Sequence, residues 1–179
     1  DYALPDSFDA TAKSAMVAEA LEGVPGVDVS DDFNPGHDLD LIHYCHTDDY
    51  VEAVLTGEPL FLAESAGVGP WSSGLRDSVL ASTAGCARAA RSALQDGVAG
   101  SLSSGMHHAR SDSGFGFCTF NGLALAAWEF HSLGAERVLV VDLDAHGGGG
   151  TREILATAGH RWVQSVDVAT SEFDTYPTS

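Results

Sequence analysis

Five residues with metal-binding or proton-transfer side chains fall in two short stretches of the 179-residue chain. His107 and His108 come first, and Asp142, Asp144 and His146 follow as an acid-x-acid-x-His run. Carboxylate oxygens and imidazole nitrogens together suit a divalent ion of borderline hardness, such as zinc or iron(II). Such an ion can polarise a carbonyl and lower the pKa of a water, while a nearby histidine takes the proton. The residue types therefore indicate a metal site that activates water.

The acid-x-acid-x-His run comes at the end of an apolar stretch. Residues 137–141 read Arg-Val-Leu-Val-Val, which is typical of a parallel strand covered on both faces, and glycines follow the run. Side chains alternate along a strand, so we expect Asp142, Asp144 and His146 to project to one side. Ligands bind beyond the carboxyl ends of strands in open parallel sheets. In the alternative, the acids cap a helix and His146 is an ordinary core residue, but the separate His pair argues against it.

Three motifs in order resemble the histone deacetylase superfamily, which includes acetylpolyamine amidohydrolases and acetoin-utilisation proteins. They are Gly-Met-His-His-Ala at 105–109, Gly-Phe-Cys-Thr-Phe-Asn at 116–121, and Val-Asp-Leu-Asp-Ala-His-Gly-Gly-Gly-Gly-Thr at 141–151. A weaker match begins at His46, where His-Thr-Asp-Asp-Tyr-Val resembles the start of a helix in the family. The resemblance covers most of the chain from about Asp38.

The resemblance implies a role for each of the five residues. Asp144 and His146 would be metal ligands, and His107 and His108 would face the activated water as an acid/base pair. Asp142 would orient His107, because a carboxylate on the far ring nitrogen fixes the tautomer and raises basicity. Zinc is the expected cofactor, with iron(II) as the alternative, and a structural monovalent cation is compatible with the resemblance.

A substrate channel is also implied. Phe117 resembles an aromatic wall that grips an acyl-lysine stem, and Gly116 would leave room for close approach of the backbone. The alternative for Phe117 and its neighbours Phe115 and Phe120 is ordinary core packing.

The sequence departs from the family at two positions in the glycine run. Gly149 stands where an Asp or Asn usually partners the second histidine, and Gly147 stands where a second His is common. We therefore expect His108 to lack its orienting partner, and its pKa to differ from that of His107.

Two further groups of the family have no counterpart in this sequence. In the family, the third metal ligand is an Asp, and a Tyr hydrogen-bonds the substrate carbonyl. Both lie well after the last predicted strand. Tyr176 is too close to that strand to be this tyrosine. Two ligands alone would bind metal weakly, and one missing oxyanion donor typically costs about 3 kcal/mol of transition-state stabilisation. Residues beyond this sequence or a second protomer could supply these groups, so a homo-oligomer is one expectation.

The charge balance is strongly acidic. A net charge of −18 arises from 26 acidic against 8 basic residues, and Lys13 is the sole lysine. Such a surface could attract cationic substrates, but surplus acid with scarce lysine is better explained as adaptation to high salt. Nucleic-acid binding is not expected, because phosphate contacts need clustered Lys and Arg.

Composition also bears on location. No stretch has the eighteen or so apolar residues of a membrane span, and no basic-then-apolar signal segment opens the sequence, so we expect a soluble, cytoplasmic protein. Cys45, Cys86 and Cys118 have unrelated spacings, which predicts buried free thiols. Cys45 beside His43 and His46 could form a second metal site, but a strand end leading to a helix capped by Thr47 is the preferred interpretation.

Alternation of helices and strands predicts a single domain over 1–179. Its class is three-layer α/β/α with a mainly parallel sheet. The resemblance implies that this sheet is arginase/deacetylase-like and that the domain is incomplete relative to the family. Expected helices are Asp9–Leu21, Thr47–Leu55, Asp77 or Ser78 to Leu94, Asn121–Leu133 and Thr151–Ala158; expected strands are Val27–Val29, 99–103, 137–143 and 162–168; residues 58–76 are expected to be loop.

The sequence favours a metal-dependent amidohydrolase that removes an acetyl or short acyl group from acetyl-lysine or acetylpolyamine-type substrates. The alternative is a truncated, non-catalytic module that binds metal, ligand or a partner. A ureohydrolase-like reaction uses related metal chemistry, but the His pair argues against a two-manganese site, which needs more carboxylates.

Overall fold

A computed structural model describes residues 10–31, 35–157 and 161–176. In chain order the elements are α1 (Ala10–Leu21), α2 (Pro35–Cys45), α3 (Asp48–Thr56), α4 (Leu60–Ala63), α5 (Ser73–Asp96), α6 (Gly122–Ser132), β1 (Val138–Asp142), α7 (Gly149–Thr157) and β2 (Val163–Asp167). The five predicted helices are thus found, with both ends of α3, α5 and α6 shifted, whereas Asp9 and Ala158 lie outside the described residues.

The two strands form a parallel pair joined through α7. Val138 is paired with Val163 at one end of the ladder, and Asp142 with Asp167 at the other. Both strands deliver a carboxylate to the same edge because parallel strands share a direction. A parallel pair with a helical crossover confirms the predicted α/β class.

The two faces of this sheet differ in burial. Val138 and Val140 pack against the core together with the buried Val163. Leu139, Val141 and Val166 alternate with these residues and are at least half exposed. The sequence predicted a strand at 137–141 that is covered on both faces. In the structure, the described residues cover one face of this strand and leave the other open to solvent.

The core lies between the helices and the inner face of the sheet. Tyr50 and Phe120 meet edge to face with ring centroids 5.6 Å apart, and both are fully buried. The Tyr50 hydroxyl donates to the Thr119 carbonyl oxygen over 2.7 Å, so the buried phenol keeps a partner. This contact ties α3 to the segment that precedes α6 and therefore to the motif at 116–121.

Two predicted strands are wrong. Among the residues that the structure describes, 99–103 and Val27–Val29 have no ladder partner, and both segments lie outside β1 and β2. Around Leu102 the backbone bonds to side chains instead, because Ser14 Oγ donates to the Leu102 carbonyl over 2.7 Å and Ser101 Oγ accepts from the Ser103 amide over 3.2 Å. Serine side chains that compete for backbone groups remove the strand that the apolar residues suggested.

The predicted loop at 58–76 is partly helical. It contains α4 and the first turn of α5, which begins earlier than expected because Ser72 Oγ accepts from the Leu75 amide over 3.1 Å and caps the helix. Gly97 ends α5 in the left-handed conformation with φ of 86°.

The segment before Thr47 also differs from the prediction. It is helix α2 rather than a strand end, and Thr47 occupies the N-cap position of α3 without a side-chain capping bond. His46 Nδ1 donates to the Arg110 carbonyl over 2.8 Å, and its Nε2 accepts from the Asn121 amide over 3.0 Å. Because both ring nitrogens are engaged, His46 does not form a metal site with Cys45.

All three cysteines are free and buried, as predicted, and burial raises the pKa of Cys86 and Cys118 to about 11. Within the described ranges, none of the helices combines the length and the apolar character that crossing a membrane requires.

Candidate active site

The loop that carries the His pair is fixed by backbone contacts. The Thr151 amide and the Asn121 side chain both donate to the His107 carbonyl, over 3.0 and 3.3 Å, and Asn121 Nδ2 also donates to the Ala109 carbonyl over 3.1 Å. Asn121 Oδ1 accepts from the Ala124 amide over 2.9 Å, so the same side chain caps α6. With His46 on the Arg110 carbonyl, the loop is held from three directions.

His107 is paired with the last residue of β1. Its Nδ1 lies 2.6 Å from Asp142 Oδ2, and this carboxylate is 8% exposed. Gly148 makes the approach possible, because a Cβ at that position would lie 2.9 Å from Asp142 Oδ2. Because Nδ1 is engaged by Asp142, His107 Nε2 is turned away from this carboxylate.

Asp144 and His146 converge by a different route from the one predicted. Strand β1 ends at Asp142, so strand alternation does not place them. Instead, Asp142 Oδ1 accepts from the Asp144 amide over 3.0 Å, and Asp144 Oδ1 accepts from the His146 amide over 2.8 Å. These two turns bring Asp144 Oδ1 to 3.8 Å from His107 Nε2 and to 3.1 Å from His146 Nδ1.

The exposure of these two side chains differs from that of the His pair. Asp144 is 51% exposed and His146 48%, whereas His107 and His108 are 11% and 6% exposed. The hydrogen bond from the His146 amide lowers the pKa of the Asp144 carboxyl, so Asp144 is ionised at neutral pH. An ionised carboxylate and a neighbouring imidazole at the mouth of a buried His pair form a site open to ligands.

The expectation that His108 lacks a carboxylate partner is wrong. Its Nδ1 lies 2.8 Å from Asp174 Oδ2, on a residue 66 positions further along the chain. Asp174 is 3% exposed and has φ of 54°. Burial lowers the pKa of His108, and the hydrogen bond to Asp174 opposes this shift.

Arg110 contacts the other oxygen of the same carboxylate. Its guanidinium donates to Asp174 Oδ1 and lies 3.5 Å from Glu153 Oε2. Glu153 Oε1 in turn accepts from the Ser111 hydroxyl over 3.0 Å. Arg110 therefore places one positive charge between two carboxylates beside the His pair. No motif in the sequence identified Asp174 or Arg110, because their meeting depends on contacts between distant segments.

Of the two predicted channel residues, Gly116 packs against the His108 ring, whereas Phe117 is exposed to solvent. Gly116 has φ of 56°, and a Cβ there would lie 2.7 Å from His108 Cδ2, so its glycine allows close packing on the ring. Phe117 is 64% exposed. The aromatic rings against His108 belong to Phe115 and Phe173, which stack with centroids 5.4 Å apart and an interplanar angle of 7°.

A model of the histone deacetylase domain matches residues 11–179. The chain belongs to the histone deacetylase family. An uncharacterised protein of Picosynechococcus sp. is 39% identical over 114 residues, which are 63% of this chain and 37% of the relative. Acetylpolyamine amidohydrolase 2 of Pseudomonas aeruginosa is 48% identical over 48 residues, which are 27% of this chain and 14% of the relative.

A solved structure gives the same picture of the fold. The crystal structure of the HDA15 HD domain superimposes with a TM-score of 0.71 at 24% identity, covering 93% of this deacetylase-family chain and 47% of that chain. This likeness confirms the arginase/deacetylase-like fold. The chain spans less than half the length of each of these three proteins.

Asp144 and His146 fit two positions of a zinc site. Two atoms bound to one tetrahedral zinc at about 2.0–2.1 Å lie roughly 3.3 Å apart. Asp144 Oδ1 and His146 Nδ1 are separated by 3.1 Å, and both side chains reach solvent. Across residues 10–31, 35–157 and 161–176, however, no three His, Cys, Asp or Glu side chains are grouped closely enough to enclose a metal ion.

Proposed function

We propose that this domain belongs to a metal-dependent deacylase that hydrolyses the amide of acetyl-lysine or acetylpolyamine-type substrates. The observation that carries the proposal is the double pairing at the site: His107 on Asp142 and His108 on Asp174, with Asp144 and His146 alongside. Amide hydrolysis requires one group to take a proton from water and another to give a proton to the leaving amine. Two oriented imidazoles provide both.

The pairing determines which ring nitrogens can act. Each carboxylate accepts from Nδ1, so the Nε2 atoms of His107 and His108 are left to exchange protons with water and the leaving amine. The rings lie 4.0 Å apart, close enough to serve one substrate. Loss of activity in each of the single variants below would show that both histidines take part.

Zinc is the proposed metal, and Asp144 and His146 are the two ligands that the described residues offer. When bound, zinc would polarise the scissile carbonyl and lower the pKa of a water. Asp144 contributes a negative charge and His146 a neutral nitrogen donor, which is the mixed donor set that zinc accepts.

Three observations support an acylated amine as the substrate. Phe115 and Phe173 form a flat, apolar surface at His108 that suits an aliphatic stem. The net charge of −18 favours approach of a cation. A relative also has the name acetylpolyamine amidohydrolase 2. The lysine and polyamine classes share a cationic, acylated aliphatic amine.

Turnover of a fluorogenic acetyl-lysine amide and of an acetylated polyamine tests the proposal. We expect activity that a chelator removes and added zinc restores. His107→Ala and His108→Ala should each reduce kcat by at least about 100-fold, the lower range for general acid–base catalysis. His43→Ala, on an exposed turn of α2, is the control and should retain parental activity. Zinc-independent turnover would contradict the proposed metal role.

A non-catalytic module is the alternative, favoured by the finding that the described residues supply two candidate ligands and not three. Such a module would bind an acylated amine without releasing acetate. Binding calorimetry with the product amine and with the acetylated substrate, run beside the turnover assay, distinguishes the enzyme from the binding module. Binding of the acetylated substrate with no acetate released at any zinc concentration would favour the module.

A further inference from the structure

The glycine run after His146 is packed against the segment that follows β2. A Cβ at Gly147 would lie 2.5 Å from the Asp174 carbonyl oxygen and 3.0 Å from Thr175 Cα. A Cβ at Gly149 would lie 2.7 Å from Asp174 Cγ. The Gly147 amide also donates to the Phe173 carbonyl over 3.0 Å. Glycine at both positions therefore makes room for residues 173–175.

The Asp174 carboxylate fills the space that a side chain at position 149 would need. The same carboxylate is the one that reaches His108 Nδ1. The missing side chain at Gly149 and the presence of Asp174 are thus two parts of one arrangement. The fold supplies a carboxylate to His108 from the segment after β2 instead of from the start of α7.

The orientation of this carboxylate is fixed at both oxygens. Arg110 binds Oδ1, and His108 takes Oδ2, while burial excludes competing water. Arg110 is itself held near Glu153 and lies over the Phe115 ring, with Cζ 5.5 Å from the ring centroid. Asp174 has φ of 54°, in the left-handed region that Asp, Asn and Gly adopt most readily.

We propose that Asp174, seated in the space that a side chain at position 149 would need and locked by Arg110, is the positioning residue of His108, so that His108 is held as its Nδ1–H tautomer. Asp174 acts through His108 and does not touch the reacting groups. Its importance for catalysis rests on the proposed deacylase function, whereas the tautomer that it imposes is a property of the folded chain with or without turnover.

The first test reads the tautomer directly. Two-bond ¹⁵N–¹H spectra of histidine-labelled protein at pH 8, with His108 assigned by His108→Gln, should show the Nδ1–H form in the parent. Asp174→Gly removes the carboxylate without backbone strain, and His108 should shift towards the Nε2–H form. The Nε2–H form in the parent, or an unchanged His108 signal in Asp174→Gly, would overturn the proposal.

The second test moves the carboxylate back. Gly149→Asp alone should lower both stability and kcat because two carboxylates compete for one space. Asp174→Gly alone should lower kcat by about 10- to 100-fold, as for loss of an outer-shell partner. The double variant Gly149→Asp/Asp174→Gly should restore the Nδ1–H tautomer and at least tenfold of the lost kcat. Asp112→Asn, exposed on the same loop as Arg110, is the matched control.

The two tests separate the two proposals. A double variant no better than Asp174→Gly in both tautomer and kcat would show that a carboxylate at this place is not what positions His108. If the parent has no turnover, the proposed function fails while the tautomer series still decides the role of Asp174.

Discussion

Replacing His46 with leucine should destabilise the domain by removing two buried hydrogen bonds. The histidine is 4% exposed and joins the Arg110 carbonyl to the Asn121 amide. A leucine retains the volume beside Tyr50 and Phe120 but leaves both backbone groups without this partner. Each buried unsatisfied group costs about 1–3 kcal/mol, so the loss should be roughly 2–6 kcal/mol.

The same residue gives a pH dependence with a definite sign. Burial lowers the pKa of His46 from 6.5 to about 4. Between these values the unfolded chain binds a proton that the folded chain does not, so the contribution of His46 is complete above pH 6.5 and is lost as the pH falls. The full interval corresponds to about 3 kcal/mol, of which roughly 2 kcal/mol is lost by pH 5.

Urea unfolding at pH 7.5 and pH 5 measures both effects in the parent and in His46→Leu. The parent should lose about 2 kcal/mol more than the variant between the two pH values. His43→Leu, which alters a half-exposed side chain near the end of α2, should change the unfolding free energy at pH 7.5 by under about 0.5 kcal/mol. Equal acid losses in parent and His46→Leu would refute a buried, neutral His46.

Three further predictions concern the metal, the loop and the surface. Asp144→Ala and His146→Ala should each weaken zinc binding by about tenfold or more, because each removes one of two ligands. Competition with a chromogenic chelator measures the affinity, and an unchanged affinity would mean that zinc binds elsewhere. Asn121→Ala should lower the unfolding free energy by about 2–4 kcal/mol, since the α6 cap and two carbonyl partners are lost, and a change below 1 kcal/mol would contradict the loop contacts. Raising KCl from 0.1 to 2 M should raise Tm by about 5 °C or more, because salt screens the self-repulsion of a chain with net charge −18. A fall in Tm would contradict the proposed high-salt adaptation.

Local sequence signals predicted the elements that support the site. The apolar run before Asp142 gave β1, and the second apolar stretch gave β2 in parallel register. Asn121 before an apolar helix marked the start of α6, where its side chain forms the cap. These signals are short-range, because strand composition and N-capping depend on residues within a few positions of one another.

The five chemistry-bearing residues named from the sequence lie together. The spacing of Asp142, Asp144 and His146 indicated convergence correctly, but the mechanism is a pair of side-chain-to-backbone turns after the strand rather than strand alternation. Aspartate competes for nearby amides once a strand ends, and this tendency could have suggested the turn.

Long-range contacts account for what the sequence did not predict. Gly149 suggested a missing partner for His108, whereas the partner Asp174 comes from a different segment whose position depends on the glycine run and Arg110. Phe173 lies in the same segment as Asp174, and the position of this segment brings its ring onto Phe115. The apolar residues at 99–103 predicted a strand wrongly, since serine side chains bind the backbone groups of this segment.

The most direct test of the proposed active site is acetate release from acetyl-lysine amide by the purified domain, titrated with zinc in high-salt buffer, for the parent and for His107→Ala/His108→Ala. We expect release that rises with zinc and saturates in the parent, and release at background in the double variant. Equal rates in the two proteins, or no release from the parent at any zinc concentration, would contradict it.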